Sequence, residues 1–119
     1  MREVSDTRVF DEAQLLARVE GDVELRTEIV DLFLDRLPEL EGELVRAVDS
    51  AEGERVKAAA HKIQGALISI SANAAAGTAL SLERAARGQE ISELPAKLER
   101  LRGELKRLKE TLTHVRAHW

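Results

Sequence analysis

Four long stretches of this chain carry apolar residues at helical spacings, and only two prolines stand anywhere in it. In the last stretch Leu98, Leu101, Leu105, Leu108, Leu112, Val115 and Trp119 alternate spacings of three and four. At about 100° per residue such a row stays on one side of an α-helix, whereas a strand would scatter it over both faces. The pattern recurs in Leu25, Ile29, Leu32, Phe33, Leu37, Leu40, Leu44 and Val48, and again in Val56, Ala59, Ala60, Ile63, Leu67 and Ile70. The remaining stretch, Ala74 to Arg87, opens on small residues (Ala74, Ala75, Ala76, Gly77, Ala79) that let two helix backbones come close. Leu, Ala, Glu and Arg dominate, as helices favour. A helix with one apolar side must bury it, and 119 residues suffice for one core. The expected fold is all-α: an antiparallel up-down four-helix bundle with a short additional N-terminal helix, in one domain over 1–119.

Capping and breaking residues set the boundaries. Met1 to Val9 is polar and expected to be flexible. Asp11 can cap a first helix running to about Val19, with Phe10 as an apolar anchor before it. Gly21-Asp22 reads as a stop followed by a new N-cap. The second helix spans about Val23 to Asp49 and is expected to kink near Pro38, where a backbone donor is missing. The third spans Glu54 to Ile70. Asn73 is the expected N-cap of the fourth, which Gly88 ends. Ser92 is the expected N-cap of the fifth, with Pro95 in its first turn.

The charge of −4 is modest and mixed, with no basic block and no aromatic platform, so no nucleic acid is expected as a partner. Zero cysteines exclude disulfides. No long apolar run is present, so no direct membrane contact is expected, and the expected location is the cytoplasm.

One residue stands out against this helical background. His61 points about 140° from the centre of the third helix's apolar stripe, toward solvent. Lys57, Ala58, Gln64, Gly65 and Ile68 share its face. Gly65 costs about 1 kcal/mol relative to Ala in a helix interior, and nothing in the local sequence offsets that cost. A bare backbone beside an exposed imidazole suits a histidine reached by something large. An exposed Ile68 would give that visitor an apolar foothold.

The run Ala60-His61-Lys62-Ile63-Gln64-Gly65-Ala66, followed by Ile70-Ser71-Ala72 and then Leu82-Glu83-Arg84-Ala85-Ala86-Arg87, resembles the histidine-containing phosphotransfer (HPt) domain family. The resemblance implies a phosphotransfer module of a multistep two-component relay. His61 would accept a phosphoryl group from a receiver-domain aspartyl phosphate and pass it to another receiver. Its exposed ring nitrogen would be the nucleophile. The chain would be a phosphorylated intermediate with no independent catalytic site. It would need no cofactor, since Mg²⁺ and the catalytic carboxylates would come from the receiver. The implied partners are response-regulator receiver domains and a hybrid sensor histidine kinase, with this chain a monomer. Membership of a membrane-bound kinase would make it a cytoplasmic domain.

By the same resemblance, Gln64, Gly65, Lys57, Lys62, Glu83, Arg84 and Arg87 would support the site, and Ala58 and Ile68 would help a receiver dock. Two positions depart from the family pattern. Gln64 stands where Lys is common, giving a hydrogen-bond donor without charge. Ser71 stands where Gly is usual. Two other readings keep the same bundle: a non-transferring adaptor that binds receivers, and the phospho-accepting input domain of a histidine kinase.

Other candidates carry less. His114 and His118 stand four apart on the last helix without a third ligand, so no metal site is expected. The charged run Lys97 to Lys109 reads as a solvated helix face, and Trp119 as a plug at the bundle end.

Overall fold

The computed structural model describes residues 6–119. Its elements are α1 (Glu12–Arg18), α2 (Val23–Asp49), α3 (Gly53–Ser69), α4 (Asn73–Arg87), a 3-10 turn (Ile91–Glu93) and α5 (Leu94–Ala117). Helices α2 to α5 form a ring: α2 packs on α3, α3 on α4, α4 on α5, and α5 back on α2. Helix α1 lies against α2. The molecule measures 43 × 29 × 20 Å. At about 1.5 Å per residue, the 27 residues of α2 account for the long axis.

The core follows the stripes. Val56, Ala60, Ile63, Leu67 and Ile70 from α3 and its end meet Leu101, Leu105, Leu108 and Leu112 from α5, all buried. Ala75, Ala76 and Ala79 are buried on α4, whose contact with α3 is the most extensive in the bundle. Ion pairs cross the α2–α5 seam in antiparallel order, Glu41 with Arg102 and Asp31 with Arg116, both at 2.8 Å. The Arg116 guanidinium hydrogen-bonded to Asp31 holds that carboxyl below its ordinary value.

The stripe on the first half of α2 differs from the sequence expectation. Leu25 and Leu32 are 40% and 61% exposed, while Arg26 and Val30 face inward. Two rows about 100° apart both show the three-four spacing here, and sequence favoured the more apolar one. The buried row is accommodated because the Arg26 guanidinium donates to Glu12 at 3.3 Å and lies 3.8 Å over the Trp119 ring, although its buried Nε has no partner among the described residues. The Trp119 indole N–H donates to the same Glu12 carboxylate at 2.9 Å.

Helix ends follow the expected caps in part. Asp11 and Asp22 accept from the backbone N–H of Gln14 and Leu25. Helix α2 runs unbroken through Pro38. Asn73 does not cap α4; it is the first residue of that helix, and its amide donates to Gln14 of α1. Ser92 does not cap α5 either, because the 3-10 turn takes it up. Residues 1–5 of the segment expected to be flexible lie outside the described residues. Asp6 to Val9 form a turn, and the Ala74 N–H donates to the Arg8 carbonyl.

Four turns that follow helices use a left-handed residue other than glycine: Glu20, Ala51, Ser71 and Gln89. Ser71, at φ 62°, is fully buried, and its hydroxyl has no partner among the described residues. A Cβ in this region costs about 1 kcal/mol, and a buried unpaired hydroxyl adds to that. Ser71→Gly is therefore expected to stabilise the fold by about 1 kcal/mol, read as a higher urea midpoint at unchanged slope. A lower midpoint would refute this account of the α3–α4 turn.

Candidate functional site

Helix α3 presents His61 outward because Ala60 and Ile63 on its other side are buried in the core. The His61 side chain is 73% exposed, yet it is not isolated. Its Nδ1 lies 3.2 Å from Oε1 of Glu83 on α4, whose side chain is only 8% exposed. The other Glu83 oxygen, Oε2, accepts from Arg87 Nη2 at 2.7 Å, one turn further along α4. Buried small residues on α4 let the two helices approach, and the Glu83 carboxylate spans the seam to the ring.

The geometry selects a tautomer. An ionised carboxylate paired with a guanidinium can only accept, so the proton between the two groups sits on Nδ1. Nε2 then carries the free lone pair, and it has no partner among the described residues. Such an imidazole is oriented by an acceptor behind it and open to attack an electrophile in front.

The remaining residues around His61 are placed as follows. Lys57 pairs with Glu54 at 3.2 Å, on the turn before it. Lys62 reaches across to Glu43 of α2, also at 3.2 Å. Arg87 is held by Glu83, and Arg84 lies in a groove with Lys97 and Glu93, toward α5. The lysines and Arg87 thus already have carboxylate partners. Gln64 is half-buried with no side-chain hydrogen bond among the described residues, one turn after His61. Ala58, Gly65 and Ile68 are exposed on the same face. A Cβ built on Gly65 would meet nothing within 4 Å, so packing does not require glycine there.

Sequence reasoning assigned Leu25 and Leu32 to the core and so missed them as surface residues. They stand eighteen and eleven positions before Glu43. At about 100° per residue this places them within about 20° of its azimuth, on the side of α2 turned toward α3. Together with Ile68 they leave apolar surface beyond the His61 end of the face. The contradiction with helical burial was not visible in a stripe pattern that two neighbouring rows share.

No group of three His, Cys, Asp or Glu side chains that could hold a metal ion occurs among the described residues. His118 Nδ1 donates to the His114 carbonyl, and the two rings lie 4.6 Å apart. No helix among the described residues is long and apolar enough to cross a membrane.

Comparisons with known proteins agree with this architecture. The family model described as the Hpt domain matches residues 28–111. Histidine-containing phosphotransfer protein B (HptB) from Pseudomonas aeruginosa PAO1 superposes with a TM-score of 0.86 at 22% identity, over 93% of this chain and 96% of that one. The HPT domain of an Hpt sensor hybrid histidine kinase from Shewanella gives 0.85 at 19% identity, over 96% and 98%. A search of curated proteins finds no match. The matched span covers most of the bundle and includes both His61 and Glu83, and the chain belongs to the Hpt domain family, the histidine phosphotransfer domains of two-component phosphorelays.

Proposed function

We propose that His61 is the phosphorylated residue, accepting a phosphoryl group from a receiver-domain aspartyl phosphate and returning it to the aspartate of another receiver. The observation that carries this reading is the exposed imidazole held through Nδ1 by a buried carboxylate. Nε2 attacks phosphorus, the P–N bond forms, and the P–O bond to the receiver's aspartate breaks, releasing its carboxylate. The Nδ1 proton stays between the ring and Glu83. Bond formation at Nε2 makes the ring cationic, and the Glu83 carboxylate behind it stabilises that charge as it develops. Return of the group to a second receiver runs the same steps backward.

The receiver supplies its own Mg²⁺ and acidic residues, which this chain's site does not provide. It docks over Ala58, Gly65 and Ile68, with Leu32 and Leu25 extending the apolar footing along α2. Gly65 lets its loops approach the α3 backbone. Gln64 donates a neutral hydrogen bond to the phosphoryl oxygens, while Lys57, Lys62 and Arg87 would have to leave existing carboxylate partners to do the same.

Three measurements test this. Incubation with a phosphorylated receiver is expected to leave acid-labile label on the wild-type protein and none on His61→Gln; label persisting in the variant would overturn the assignment. Glu83→Ala is expected to slow labelling about tenfold, both from a receiver and from phosphoramidate, since a hydrogen bond to a charged group is worth about 1.5 kcal/mol. Equal rates would remove Glu83 from the site. Gly65→Ala is expected to leave stability unchanged or raise it by up to about 1 kcal/mol while slowing transfer from a receiver. Loss of stability would mean that glycine serves packing instead.

A further inference from the structure

Helix α1 lies across one end of the bundle and is tied at both of its own termini. Its first residue, Glu12, accepts from the Trp119 indole N–H at 2.9 Å and from Arg26 at 3.3 Å. Arg26 is 11% exposed and has its guanidinium 3.8 Å over the Trp119 ring, so one carboxylate, one cation and one indole close on each other. The last residue of α1, Arg18, donates through Nη1 to the Ile68 carbonyl at 2.6 Å. Ile68 lies on the His61 face two turns beyond the histidine. Between these ends α1 is a seven-residue rod of about 10 Å, pinned at its middle by the fully buried Leu15.

We infer that the Trp119–Glu12–Arg26 cluster is a latch that positions α1, and through Arg18 the Ile68 edge of the receiver-docking face. Trp119 and Glu12 are positioning residues: neither touches His61, and they act on docking and not on the chemistry of the ring. The other ties to α1 are to the α3–α4 turn, where the Asp11 N–H donates to the Ser71 carbonyl and Asn73 donates to Gln14. Those bonds fix where α1 begins on that turn. The latch fixes how the rod is turned about it, because Glu12 is also held, across the same end of the bundle, by Arg26 of α2 and by Trp119, which follows α5. Glu12 thus joins α1 to α2 and to the residue that follows α5, and Arg18 joins α1 to α3. The inference rests on the proposed docking of a receiver over this face.

The test uses the intact protein, an isolated phosphorylated receiver domain, and phosphoramidate as a small donor that needs no docking surface. Trp119→Phe keeps an aromatic ring at this position and removes the N–H donated to Glu12 together with the rest of the pyrrole ring. Loss of one such bond is expected to raise the receiver concentration for half-maximal transfer about fivefold, with the limiting rate and the phosphoramidate rate unchanged. Glu12→Ala, which removes both partners' acceptor, is expected to raise it further. An unchanged half-saturating receiver concentration in both variants overturns the latch. So does an equal loss of phosphoramidate labelling, which would signal general loosening of the bundle. If the wild-type protein takes no label on His61 from receiver or phosphoramidate, the proposed function fails and the latch with it. If wild type is labelled and the variants match it, only the latch fails.

Discussion

A buried carboxylate in contact with an exposed ring is the interaction on which this site depends. Glu83 is withdrawn from water into the α3–α4 seam, and a charge so placed is tolerated only when its oxygens are bonded. Oε1 finds His61 and Oε2 finds Arg87. The same two bonds settle the ring's tautomer and leave Nε2 open. Buried Ala75, Ala76 and Ala79, about one turn of small residues on α4, let the two helices approach where the carboxylate reaches the ring.

The rest of the bundle holds this arrangement in place. The fully buried leucines of α5 fill the centre from the helix diagonally across from α3. Ion pairs zip α2 to α5 on the far side. The His61 face, by contrast, is spare: alanine, a glycine with open space above it, an unbonded glutamine, and a few exposed apolar side chains. In the proposed mechanism the domain presents a fixed nucleophile on a surface with little of its own to reorganise, and the partner brings the electrophile, the metal and the acid residues. The neighbouring cations are held in carboxylate pairs, which leaves the surface around the histidine close to neutral.

Helix boundaries show how local signals and tertiary demands compete. Asp11 and Asp22 cap where their position in sequence requires, because the capping bond is made within three residues. Asn73 and Ser92 have the same chemistry but different neighbours: α1 takes the Asn73 amide, and a 3-10 turn extends the connection past Ser92. Leu25 and Leu32 were read inward for a similar reason. Their hydrophobicity is a local property, whereas the choice of buried row on α2 was made by Glu12 and Trp119, which pair with Arg26 from 14 positions before it and from the far end of the chain.

By itself the sequence determined the helices, their order, the core stripes outside the first half of α2, and the exposure of His61, because each follows from residue spacing at a fixed angular step. Its motif around His61 also carried the family resemblance. Only the tertiary structure decided that His61 has a buried acid behind it, that Gly65 stands in open space, and that the flanking lysines already have partners. The first of those facts and the Lys62 pair depend on side chains from different helices meeting, His61 with Glu83 across 22 positions and Lys62 with Glu43 across 19. Spacing within one helix states which way a residue points, and it is the packing of the next helix that states what it finds there.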